Sequence, residues 1–198
     1  MNRKQQIQQL ARQKGIIRAA DVEDVGISRN YLYHMQKEGL LEKLSVGLYT
    51  LPKALVTEHS PLVEIAIRIP HAIVCLLSAL SYHGLTTQIP HEIWVTVPGS
   101  SWRPQREDPP LNLTYVSGSA YSFGTEEHVI NGVRVKIYSP AKTVADCFKF
   151  RNKVGLDVAI EALRETWRSH KATMDELVEA AGIDRVLKVM RPYIEATV

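Results

Sequence analysis

Cysteine is scarce: Cys75 and Cys147 are the only two in 198 residues, far apart and in no CxxC pair. That excludes a disulfide framework and a zinc ribbon, and it leads to the expectation of reduced thiols in a cytoplasmic protein. Long apolar runs are missing too. No segment approaches the ~20 apolar residues that span a bilayer, and "MNRKQQIQQLARQK" has no signal-peptide apolar region. There is no glycine-rich phosphate loop, no GxSxG and no HExxH. Carboxylates are sparse on the candidate strands: "EIWVTVP" has only Glu92 at its edge and "VRVKIY" has none, so Mg²⁺-dependent phosphoryl chemistry lacks ligands.

Smaller constellations receive structural readings. His71 and Cys75 are four apart, with His83 and His91 not far off, but zinc sites need three or four ligands at recognisable spacing. Asp146 follows Lys142 by four residues, the spacing of a local helical salt bridge. Ser139 before Pro140 is a helix cap, not a nucleophile. No catalytic residue, metal site or cofactor is assigned.

What is present is an uneven distribution of charge. The net charge is +3, from 24 Lys and Arg against 21 Asp and Glu. Residues 1–52 hold eight of the cations and five of the acids, so the whole formal excess lies in the first quarter of the chain. A basic small domain beside a neutral larger one suggests an anionic partner such as DNA. An imbalance of three charges is equally what chance supplies.

Apolar spacing predicts a helix over 2–14, with Ile7, Leu10 and Ala11 on one face and a stop at Gly15. A second short helix lies within 17–26. Ser28 then serves as N-cap for a third helix running to Glu38. Residues 40–51 alternate and turn at Val46-Gly47, the pattern of a hairpin. The remainder predicts a helix over 60–70, a buried helix over 72–85 and strands at 91–98 and 111–116. "SSWRPQREDPP" reads as a polar, proline-rich loop. A hairpin follows at 128–138, where Asn131-Gly132 suits a type I′ turn. Helices are expected at 140–152, 156–169, 174–181 and 184–195, with a Thr173/Glu176 capping box.

The fold class is therefore α+β, with an N-terminal winged helix-turn-helix (1–52) followed by a mixed α/β domain with a helical end (53–198). On the third helix Leu32 and Met35 face inward. Arg29, Tyr33 and Lys37 recur every four residues on the opposite face, with Asn30 and His34 alongside. Arginine can pair with guanine and asparagine with adenine, each through two hydrogen bonds. Lysine and tyrosine reach phosphates, and the first turn of such a helix enters the major groove. The candidate DNA-binding residues are Ser28, Arg29, Asn30, Tyr33, His34 and Lys37, with Lys43 on the wing and Arg3 and Lys4 on the first helix. A merely solvated surface helix is the alternative, and an exposed Tyr33 followed by a hairpin weighs against it.

Three stretches, "GISRNYLYHMQKEGLLEKLSVGLYTLP", "LLSALSYHGLTTQIPHEIWVTVP" and "YSPAKTVADCFKFRNKVGLDVAIEAL", together resemble the AbiEi family of antitoxins and transcriptional regulators. The resemblance implies a winged helix-turn-helix that binds inverted repeats of double-stranded DNA in its own promoter. It also implies a C-terminal domain that opposes a nucleotidyltransferase-like toxin without a stable complex, as a type IV antitoxin. Relatives commonly carry one or two arginines just before the wing glycine and tyrosine. Here Ser45-Val46 precede Gly47 and Tyr49, which makes the tip a poorer phosphate reader and leaves Lys43 as the nearby cation. Two rival readings stay open: a C-terminal enzyme acting on the toxin or its product through Asp146, Lys142 or His83, and a plain effector-responsive transcription factor.

Overall fold

The computed structural model describes residues 2–45, 47–52, 58–101 and 110–197. It is a mixture of helices and sheets, and it divides into two compact units. The first comprises residues 1–68 and 128–135, the second 69–127 and 136–198. Val46 in the expected wing turn and most of the proline-rich loop lie outside the described residues.

The first unit opens with α1 (Arg3–Lys14), closed at its start by a reciprocal cap between Asn2 and Gln5. At its end the Gly15 N–H donates to the Ala11 carbonyl at 2.9 Å. Where a helix over 17–26 was expected, the chain first forms a three-residue strand, β1 (Ile16–Arg18), and only then a five-residue α2 (Ala19–Glu23). Two β-branched residues and a ready partner strand outweigh weak helical propensity over so short a stretch. α3 (Asn30–Lys37) starts later than expected, with Arg29 and not Ser28 in the cap position. The Ser28 hydroxyl still accepts from the Asn30 N–H, at a long 3.4 Å. β2 (Glu42–Ser45) and β3 (Leu48–Thr50) then pair antiparallel, with Lys43 opposite Tyr49 and an irregularity between Lys43 and Ser45. β1 pairs with the other edge of β3, giving the order β1-β3-β2.

Ile7, Ala11, Ile17, Val22, Ile27, Leu32, Met35 and Leu41 form the core beneath these elements. α4 (Ser60–Arg68) follows within the same unit. So does the 128–135 hairpin tip, where Asn131 and Gly132 both have positive φ, as a type I′ turn requires. That tip meets the end of α1 backbone to backbone. A Cβ on Gly15 would stand 2.0 Å from the Asn131 carbonyl oxygen, and one on Gly132 2.8 Å from that of Lys14. Only glycine permits the approach.

The second unit contains a five-stranded sheet, in the order β6-β5-β4-β8-β7, and a helical layer. Its strands and helices are β4 (Ile73–Val74), α5 (Leu76–His83), β5 (Ile93–Pro98), β6 (Leu111–Val116) and α6 (Ser119–Ser122), with the start of β7 (Thr125–Ile130) and the end of β8 (Val133–Tyr138), whose residues 128–135 belong to the first unit. There follow α7 (Pro140–Lys149), α8 (Arg151–Val154), α9 (Leu156–Arg168), α10 (Met174–Ile183) and α11 (Leu187–Glu195). The expected helix over 72–85 is in fact strand β4, an extended Cys75 and a shorter α5. An apolar run cannot by itself distinguish a buried strand from a buried helix. Ser139 caps α7 by accepting from the Lys142 N–H, Pro140 opens that helix, and the Thr173/Glu176 capping box is present on α10. α7 is buried along almost its whole length within the apolar core.

Candidate nucleic-acid interface

Leu32 and Met35 anchor α3 in the first core, which leaves the opposite side of the helix in solvent. Arg29, Asn30, Tyr33, His34 and Lys37 are all exposed there. Tyr33 keeps 51% of its surface in solvent, so its ring and hydroxyl are open on this side of the helix. The Lys37 ammonium lies over its ring, 4.8 Å from the centroid. The His34 ring meets Tyr33 edge-on at 6.1 Å. These three side chains form a connected cationic and aromatic patch.

Lys43 is exposed on β2, Arg3 on the first turn of α1, and Ser28 at the approach to α3. Lys4 differs from them. Its ammonium is paired with the Glu38 carboxylate at the end of α3, a hydrogen bond that raises the lysine pKa. Arg29 likewise has an acidic neighbour, with its Nε 3.9 Å from Glu23 Oε1 at the end of α2. Neither carboxylate was singled out from sequence. Pairs separated by six and by 34 positions across a turn or between helices give no periodic signal.

Asp21 holds α2 in place. Its buried carboxylate accepts from the Arg18 backbone N–H at 2.7 Å, from the Arg18 guanidinium at 3.1 and 3.2 Å, and from Lys14 at 2.7 Å. Burial works to raise its pKa, but the hydrogen bonds from Arg18 and Lys14 outweigh burial and bring the value down to about 2. The Ala19 N–H donates to the Gly47 carbonyl at 3.2 Å, so the turn between β2 and β3 is tied to the start of α2.

In the second unit, Lys142 and Asp146 do form the expected pair, at 2.6 Å, but both are fully buried. Asp184, 42 positions from Lys142, completes the group at 2.9 Å and also receives Lys149 at 3.2 Å. Lys142 further lies over the Tyr138 ring at 4.6 Å. Burial and the like charge of Asp184 push Asp146 up to about 7 against the pull of Lys142, and its Oδ2 has no hydrogen-bond partner. His83 Nε2 contacts the Tyr138 carbonyl at 2.7 Å. Both cysteines are buried free thiols, with pKa values raised by desolvation. Among the described residues no group of three or more His, Cys, Asp or Glu is placed to hold a metal ion.

Residues 5–52 match the family described as "Transcriptional regulator, AbiEi antitoxin". That agrees with the resemblance carried by the sequence, over the segment that holds α1 to α3 and the three-stranded sheet. The chain is also similar to the crystal structure of the RV2827C protein from Mycobacterium tuberculosis. The TM-score is 0.60 at 12% identity, over 92% of this chain and 75% of that one. At that identity the likeness is one of fold. No curated protein matches the sequence. The matched family is one of regulators and antitoxins. No helix among the described residues is long and apolar enough to cross a membrane.

Proposed function

We propose that the protein is a DNA-binding autorepressor and antitoxin, with residues 1–52 acting as a winged helix-turn-helix. α3 is the recognition helix and the β2–β3 hairpin the wing. The observation that carries this reading is the outward face of α3, where a half-exposed Tyr33 and its stacked Lys37 share the surface with Arg29 and Asn30. Arg29 and Asn30 read base edges in the major groove, while Lys37, Lys43, Arg3 and Lys4 hold phosphates and set the register. The DNA partner is a pair of inverted repeats in the protein's own promoter. Residues 53–198 supply the antitoxin activity against a nucleotidyltransferase-like toxin, without a stable complex and without catalysis by this chain. The protein works in the cytoplasm.

Two measurements test the assignment. Footprinting the full-length protein on its own upstream region, at stated salt, should protect an inverted repeat. A full-length Arg29→Ala/Lys37→Ala variant should lose that protection yet still rescue cells when both toxin and antitoxin are expressed from foreign promoters. Failure of this variant to rescue, while folded, would break the assignment of the two activities to separate parts of the chain.

A further inference from the structure

Arg29 extends from the cap position of α3 with 73% of its side chain exposed, and a free arginine there would sample many rotamers. One feature restrains it. Glu23 closes α2, and the chain turns back at Gly26, with φ +75°, so that the carboxylate faces the guanidinium across the turn. The turn itself is fixed: the Gly26 N–H donates to the Glu23 carbonyl at 2.8 Å and the Ile27 N–H to that of Val22 at 3.1 Å. α2 is held in turn by the buried Asp21 carboxylate and its bonds to Arg18 and Lys14. Glu23 therefore sits on an anchored element, not on a loose loop.

We propose that Glu23 is a positioning residue that presents Arg29 to a guanine. The proposal rests on α3 being the base-reading helix. The carboxylate faces Nε, the atom nearest the stem of the guanidinium, at 3.9 Å. Occupying that side leaves both terminal Nη groups free to donate together, end-on, to guanine O6 and N7. The negative charge also disfavours a nearby phosphate, so it discourages Arg29 from settling on the sugar–phosphate backbone instead of on a base. At this separation the pair is ionic without a hydrogen bond, and it biases the arginine without fixing it. The effect is thus on specificity more than on total affinity.

The test measures affinity of the full-length protein for its footprinted operator and for a random duplex of equal length, at one salt concentration. Wild type, Glu23→Gln, Arg29→Ala and the double variant are compared. Glu23→Gln should reduce the operator-to-random ratio roughly fivefold, through weaker operator binding and equal or tighter binding to random DNA. The double variant should match Arg29→Ala alone. A general lesion in folding would weaken both duplexes together and leave the ratio intact. If Glu23→Gln keeps the wild-type ratio while Arg29→Ala lowers it, the positioning role is wrong and the recognition helix stands. A double variant worse than Arg29→Ala would mean that Glu23 reads a base itself, which also overturns positioning. An unchanged ratio in Arg29→Ala removes the recognition reading and the proposal with it.

Discussion

The first unit keeps two of its ion pairs in water, and the second buries a cluster of three charged side chains. Lys4 with Glu38 and Arg29 with Glu23 leave 40–73% of each side chain exposed. Lys142, Asp146 and Asp184 are 0–2% exposed. Solvent and salt screen the first kind, so a phosphate can replace a carboxylate partner with little disturbance. The second kind cannot exchange partners, because each ion has already lost its hydration and only the others compensate it. The placement of charge thus separates residues available to a polyanion from residues committed to architecture. Lys142 and Asp146, candidates for chemistry on spacing alone, fall in the second class.

The harshest way to break this comparison is to remove the buried ammonium. Lys142→Met removes the ammonium that Asp146 and Asp184 share, while Lys149 still pairs with Asp184. It should cost about 3–5 kcal/mol of stability. Trp94 and Trp167 both lie in the second unit, so urea unfolding followed by tryptophan fluorescence reads the loss there. An unchanged midpoint would show that the buried cluster carries no structural weight.

Next in size is the backbone contact of Gly15 with Asn131 in the first unit. Gly15→Val forces a β-branched residue into positive φ and drives its Cβ toward the Asn131 carbonyl. A loss of roughly 2–3 kcal/mol is expected from strain and overpacking. Amides of α1 and β3 should exchange faster with deuterium in proportion. Wild-type exchange rates would remove the 128–135 tip from the first unit.

Acid sharpens the comparison, because the buried carboxylates of the two units have opposite shifts. Asp21 falls from the ordinary 3.8 to about 2, so its contribution is present above pH ~4 and is lost as pH drops through 2. That contribution is about 2 kcal/mol. Asp146 is raised instead, so its protonated form is favoured by folding, and the associated stability is lost as pH climbs from about 4 through about 7. Asp21→Asn should flatten the acid limb read by exchange in α1 and α2. Asp146→Asn should flatten the limb read by tryptophan fluorescence between pH 4 and 7. Equal pH dependence in both units would contradict the contrast.

Much of this was legible in the sequence, and the misses share a physical cause. The spacing of Leu32 and Met35 against Arg29, Tyr33 and Lys37 fixed which side of α3 faces out, since one helical period holds over its eight residues. The caps at Ser139 and Thr173 were equally readable, because they are local. β1 and β4 are three and two residues long and owe their existence to partner strands elsewhere in the chain. Asp184 joins Lys142 across 42 positions, and Glu23 meets Arg29 only because the Gly26 turn folds back. Non-local pairing leaves no period to detect.

The finest test concerns the exposed cations themselves, which should not all behave alike. Arg29 and Asn30 stand at the start of α3, where side chains of a recognition helix meet base edges, while Lys43 stands on β2 opposite Tyr49. Replacing either of the first two by alanine should remove discrimination at particular base pairs, by about 1–3 kcal/mol each. Lys43→Ala should instead weaken every sequence alike, and lower the slope of log affinity against log salt by about one. The measurement is a set of binding isotherms on the operator, its single-base variants and random DNA, over several salt concentrations. A phosphate contact carries no sequence information, so equal loss on all duplexes with a shallower slope marks one. A base contact leaves the slope nearly in place and alters the ranking of the variants. If Lys43→Ala leaves the slope unchanged, Lys43 makes no phosphate contact, and the role proposed for β2 in holding the backbone is wrong.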